Sequence, residues 1–156
     1  MMLNANLKTF SDYFKAFATG HPDLKFFCFG SVEKGIAFAR SLEEFDYPFL
    51  WLEEPVATTI DNGAAHINDR FSVGITALVT APLDDNDAQI DAYSLGYQIV
   101  TDLQAKMRAD RKAGIIDMEL EGQRKYPVSQ LWVDGNFGFR LELLMDLNIN
   151  ATIYKP

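Results

Sequence analysis

The stretch Phe137-Gly138-Phe139-Arg140-Leu141-Glu142-Leu143-Leu144-Met145-Asp146-Leu147-Asn148-Ile149 decides how this chain is read. Its apolar residues fall on every second position: Phe137, Phe139, Leu141, Leu143, Met145, Leu147 and Ile149. Successive side chains of a strand point to opposite faces, so the pattern predicts one strand with a core face and a largely polar face. Phe71, Val73, Ile75, Ala77, Val79 and Ala81 repeat the period and predict a second strand over 70–81. Between the two, Ile90, Tyr93, Tyr97, Val100, Leu103 and Met107 recur at steps of three and four, the stripe of an amphipathic helix.

That helix is the best delimited in the chain. Asp84, Asp85 and Asp87 suit its start, where free N–H groups and the positive dipole end need partners. Lys106, Arg108, Arg111 and Lys112 suit its end, and Gly114 closes it, which predicts a helix over 85–113. Gly96 inside it predicts a close approach to the sheet. The expected fold is α+β: a mainly antiparallel sheet of about five strands, in a single layer. Helices pack on one face of it.

The flanking segments add to this frame. Leu3, Leu7, Phe10, Phe14 and Phe17 form a helical stripe that Gly20 and Pro22 end, so a first helix is expected over 3–19. Residues 25–29 are a short apolar run. Val32, Ile36, Ala39 and Leu42 predict a helix over 32–44. Residues 49–60 read as strand, and Pro55, which has no N–H for a ladder, marks an edge position or a bulge there. Asp61-Asn62-Gly63 opens a loop expected over 61–69. Residues 115–121 alternate loosely with an acidic outer face. A polar connection over 122–127 and a short strand over 128–132 follow. Asp134-Gly135-Asn136 then makes a hairpin turn into the last strand.

The length of that last strand raises a geometric question. Thirteen residues at about 3.4 Å each span about 44 Å, against a diameter of about 40 Å for a compact chain of this size. The strand therefore bends at a bulge near Gly138 or Leu144, stops early with 145 onward as a tail, or reaches another chain. The bend is the leading expectation. For the third case the candidate interface residues are Phe139, Leu141, Leu144 and Pro55.

Composition narrows the function. The chain has 156 residues, read as a single domain over 1–156, and a net charge of −8. That balance argues against binding nucleic acid through phosphates and against an anionic membrane surface. One cysteine, Cys28, excludes an internal disulfide and reads as a buried hydrophobe. No apolar run is long enough to span a membrane, and 1–6 lacks the pattern of a secretion signal, so a cytoplasmic location is expected. Asn150-Ala151-Thr152 matches a glycosylation sequon that has no meaning without secretion.

Chemistry-bearing residues are sparse. His21 precedes Pro22 at a helix end and reads as a cap. His66 lies in a loop with Asp61, Asn62, Asn68 and Asp69, the nearest thing to a metal or acid–base cluster, but the calcium-loop spacing is absent. Glu53 and Glu54 point to opposite faces of a strand, and Glu119 with Glu121 reads as a solvent edge. Ser72, Ser94 and Ser129 lack a nucleophile elbow, and residues 30–35 fail the phosphate-loop spacing. No catalytic residue, metal or cofactor is expected.

The order helix, long hairpin, long helix, terminal hairpin, ending in Asp134-Gly135-Asn136-Phe137-Gly138-Phe139-Arg140-Leu141-Glu142-Leu143, resembles the tail-terminator and head–tail joining proteins of tailed phages and prophages. The resemblance is architectural. It implies a non-enzymatic ring subunit, a homo-oligomer commonly of six copies. Its partners would be other phage structural proteins, and its acidic surface would face DNA without binding it. The helix at 32–44 and the loop around His66 depart from that layout. Two other readings stand beside it. One is a ligand- or peptide-binding module walled by Phe45, Tyr47, Phe49 and Trp51. The other is an enzyme with a site at His66, Asp61 and Asp69.

Overall fold

The computed structural model describes residues 3–31, 41–129 and 135–154. Two long strands form its axis: β4 (Ile67–Thr80) and β7 (Asn136–Asn148). They pair antiparallel from Asn68 opposite Asn148 to Thr80 opposite Asn136, with no slip in register. The last strand therefore neither bends at a bulge nor frays into a tail. Its full length is used because β4 is equally long, and shorter strands tile the two outer edges. β1 (Phe26–Phe29) and β2 (Phe49–Leu52) flank one half of β4, and β3 (Val56–Asp61) flanks the other. β6 (Arg124–Ser129) and β5 (Asp117–Met118) divide the outer edge of β7 in the same way. Among the described residues the result is one seven-stranded sheet, in which β1 and β2 are the parallel pair of strands.

Two helices cover one face. α1 (Leu7–Gly20) and α2 (Asn86–Lys112) lay Phe10, Phe14, Ile99, Leu103 and Met107 on Leu50, Leu52, Ile75, Leu141 and Met145. These are the inward members of the period-two patterns, so the alternation selects the buried face. Gly96 is where α2 touches the sheet most closely. A Cβ there would meet Gly138 Cα at 2.9 Å and the Phe139 nitrogen at 3.0 Å. Gly138 is thus a contact point under a helix and not a bulge. Tyr13 of α1 donates to Asp110 of α2 at 2.6 Å, which ties the two helices together. A four-residue helix, α3 (Asn150–Ile153), ends the described chain.

Several boundaries differ from the sequence expectation. α1 begins at Leu7 because Asn6 caps it, its side chain accepting from the N–H groups of Lys8 and Thr9. Leu3 instead bonds Ile115, and Asn4 bridges to Asn148. The strand expected over 49–60 is two strands. Leu52 faces Ile75 while Val56 faces Ser72, so four steps on one side match three on β4. The extra residue makes a bulge at 53–55 that contains Pro55. The loop expected over 61–69 is shorter, because Ile67 already pairs with Asp61. The segment 115–121 is strand only at Asp117–Met118. The polar connection over 122–127 is largely strand β6, whose edge position tolerates Pro127. The expected helix at 32–44 falls mostly outside the described residues, and 41–44 is turn. The expected strand residues 130–132 and Asp134 also lie outside. No helix among the described residues is long and apolar enough to cross a membrane.

Candidate functional site

The face of the sheet opposite α1 and α2 carries the polar members of the same alternation. On β4 and β7 they are Arg70 opposite Asp146, Ser72 opposite Leu144, Gly74 opposite Glu142 and Thr76 opposite Arg140. Tyr126 of β6 lies beside Arg140. Towards β1 and β2 this face is closed by an aromatic cluster of Phe26, Phe45, Tyr47, Phe49 and Trp51. Towards the other end it opens into a groove of about 410 Å³.

Arg140 organises the groove. Its Nε donates to Glu53 Oε2 at 2.6 Å and Nη2 to Glu53 Oε1 at 3.2 Å. Nη1 donates to Glu142 Oε1 at 2.5 Å and also to the Tyr126 hydroxyl. Tyr126 in turn donates to Glu142 at 3.0 Å. Glu53 belongs to the β2–β3 corner and Arg140 to β7, so the pair reaches across β4. Gly74 makes that reach feasible, because a Cβ there would occupy the space of the Glu53 carboxylate and the Arg140 guanidinium.

The electrostatics follow from this packing. Burial works against the charge on Arg140, but hydrogen bonds to Glu53 and Glu142 overturn it and hold its pKa above the usual guanidinium value. The hydrogen bond from Arg140, with one from Tyr126, holds the Glu142 carboxyl below its ordinary range. Burial and the bond to Glu142 push the Tyr126 hydroxyl up. Arg70 forms a two-pronged pair with Asp146 at 2.7 and 2.8 Å. Both arginines are therefore bound to carboxylates of their own chain. Glu54, Glu119 and Glu121 also line the groove, so five carboxylates surround one guanidinium.

A second cleft, about 380 Å³, lies where α1 ends against α2. His21 caps α1, packs on Phe17 and accepts from the Asp23 N–H through Nδ1 at 3.2 Å. Its Nε2 then carries the proton and donates to Asp102 Oδ2 at 3.0 Å. Both ring nitrogens are engaged, so the histidine ties the end of α1 to α2.

The loop residues named from the sequence are dispersed among local partners. His66 is exposed and bonds Asn68 at 3.2 Å. Asp61 accepts from the Gly63 N–H, and Asp69 from the Thr59 hydroxyl. Among the described residues no group of three metal-ligating side chains comes together. Phe45 packs edge-on against Tyr47 and Phe49, and the three line neither cleft. Of the candidate interface residues, Leu141 is buried under the helices and offers no surface. Phe139 is half-buried against Tyr97, Leu144 lines the groove, and Pro55 sits in the bulge. Burial pushes the Cys28 thiol up to about 12. The sequon residue Asn150 accepts from Ile67 N–H and donates to the Ala65 carbonyl, fastening the β3–β4 loop.

Sequence reasoning did not identify the Arg140–Glu53 pair, whose members lie 87 positions apart. One sequence signal was present: a glycine in the middle of a strand marks a place where something crosses closely. No protein-family model matches this chain, and neither a curated protein nor a solved structure matches it.

Proposed function

We propose that the chain is a non-enzymatic assembly subunit of the tail-terminator or head–tail joining type. In this reading it acts as a homo-oligomeric ring beside other structural proteins of a phage or prophage particle. The observation that carries this reading is the polar face of the sheet. It is broad and rich in carboxylates, and its Arg70 and Arg140 are neutralised within the chain. Such a carboxylate-rich face repels a polyanion, which suits a surface past which DNA must slide. The two long strands give it a stiff backing.

The test is the mass of the purified chain in solution, with negative-stain images of the same sample. A closed ring of about six copies that does not retain DNA is the expected result. A species no larger than a dimer at all concentrations, with no rings in the images, would overturn the proposal.

A further inference from the structure

We infer that the free edge of β3 is a self-complementary docking strand that pairs antiparallel with β3 of a second copy across a two-fold axis. All six residues of β3 are exposed, Val56 to 67% and Ile60 to 40%. β3 lies beyond the helices, and among the described residues it pairs with β4 alone.

The hydrogen bonds fix which groups face outward. The Asn62 N–H donates to the His66 carbonyl, continuing the β3–β4 ladder. In an antiparallel ladder alternate residues bond the same neighbour, so Val56, Thr58, Ile60 and Asn62 serve β4. Ala57, Thr59 and Asp61 therefore turn their N–H and C=O groups to the open side. Pro55 falls in the same outward set, where its missing N–H costs no internal bond.

Of the two-fold registers centred on Ala57, Thr58 and Thr59, the one centred on Thr58 suits both the backbone and the side chains. Outward residues must face outward residues, so the axis passes through a residue of β3. With the axis at Thr58, Ala57 pairs with Thr59 of the second copy, and Val56 packs on its Ile60, twice over. Asp61 then lies opposite Pro55, and Glu54 opposite Asn62, so no carboxylate meets another. With the axis at Thr59, Val56 would face Asn62 and the apolar pairs would be lost. With the axis at Ala57, Glu53 would oppose Asp61, a like-charge contact that disfavours pairing. An edge that is β-branched and uncharged from Val56 to Ile60 is one that proteins ordinarily blunt with charge or cover with a partner. The contact pairs a patch with itself, so it stands apart from the head-to-tail contact that closes a ring. Six residues a side bury less than the roughly 800 Å² per partner of a standard interface, so the pairing is expected to be weak and concentration-dependent.

The test is a cysteine trap in the full chain. Thr58 facing Thr58 of the second copy is a non-hydrogen-bonded pair, with Cα atoms about 4.5 Å apart, inside the range a disulfide spans. Under mild oxidation Thr58→Cys should give a disulfide-linked dimer at least about tenfold faster than Ile60→Cys, which would face Val56. Both positions are exposed, and the native Cys28 is buried, so the wild-type chain is the blank. A second arm uses charge. Thr58→Lys and Thr58→Glu should each weaken self-association, and mixing the two should restore it as a mixed pair. Equal trapping at 58 and 60, no trapping at either, or failure of the mixed pair would overturn the inference. If trapping succeeds and no ring is seen, the ring fails and the edge contact stands.

Discussion

At Gly74 the missing side chain holds open the space that the Arg140–Glu53 pair fills. Gly74→Ala should push those two groups apart and cost about 1–3 kcal/mol in denaturant unfolding. The same substitution in an Arg140→Met background should cost much less, because the groups it displaces are coupled. Thr76, beside Arg140 in register, is fully buried and its hydroxyl makes no hydrogen bond. Thr76→Val should therefore stabilise the chain by about 1 kcal/mol, read as a raised melting temperature. Glu142 gives the pH dependence. Its pKa in the folded chain lies below its ordinary 4.5, chiefly through the hydrogen bond from Arg140. A lowered folded value means stability that is present above the ordinary value and lost as pH falls through the folded one. Stability should thus decline on the acid side of 4.5, and Glu142→Gln should make that decline shallower.

Among the elements, α2 shows how far sequence reading reaches. Its stripe, its Asp85 cap and its basic last turn are local signals, and the helix begins and ends within a residue of where they place it. The use of Gly96 was legible too, because a glycine in a long helix has few other reasons to be there. Gly96→Ala should lift α2 off Gly138 and cost about 1–3 kcal/mol, whereas Gly114→Ala probes only the helix end. Tyr13→Phe should cost a similar amount, since it removes the hydrogen bond joining α1 to the Asp110 carboxylate. The strands were legible where they alternate, as β4 and β7 do. They were not where pairing overrides composition. Residues 124–129 are polar and contain Pro127, and they become strand because β7 offers a free edge. The Arg140 network was hidden for a related reason: which polar residues meet across a sheet depends on register, and no local pattern encodes it.

For the molecule as a whole, the arrangement predicts a gradient of protection. Amide exchange should be slowest along the central β4–β7 pair, which is covered by α2, and fast at the outward N–H groups of Ala57, Thr59 and Asp61 in dilute solution. Raising the concentration should slow exchange at those three positions and leave Thr58 and Ile60 unchanged, because the latter already bond β4. The same mass measurement that tests the ring then reports on edge pairing, and the two can fail separately.

The glycine under the Arg140–Glu53 bridge also bears on how the long hairpin finds its alignment. Sliding β4 by two positions would keep each side chain on the face it already occupies, so hydrophobicity alone does not penalise that error. It would, however, bring Ser72 or Thr76 beneath the bridge, where a Cβ collides with it. Gly74 thus works as a notch that admits the bridge in a single alignment. A residue without a side chain rejects the slippage that a pair of long, regular strands would otherwise tolerate.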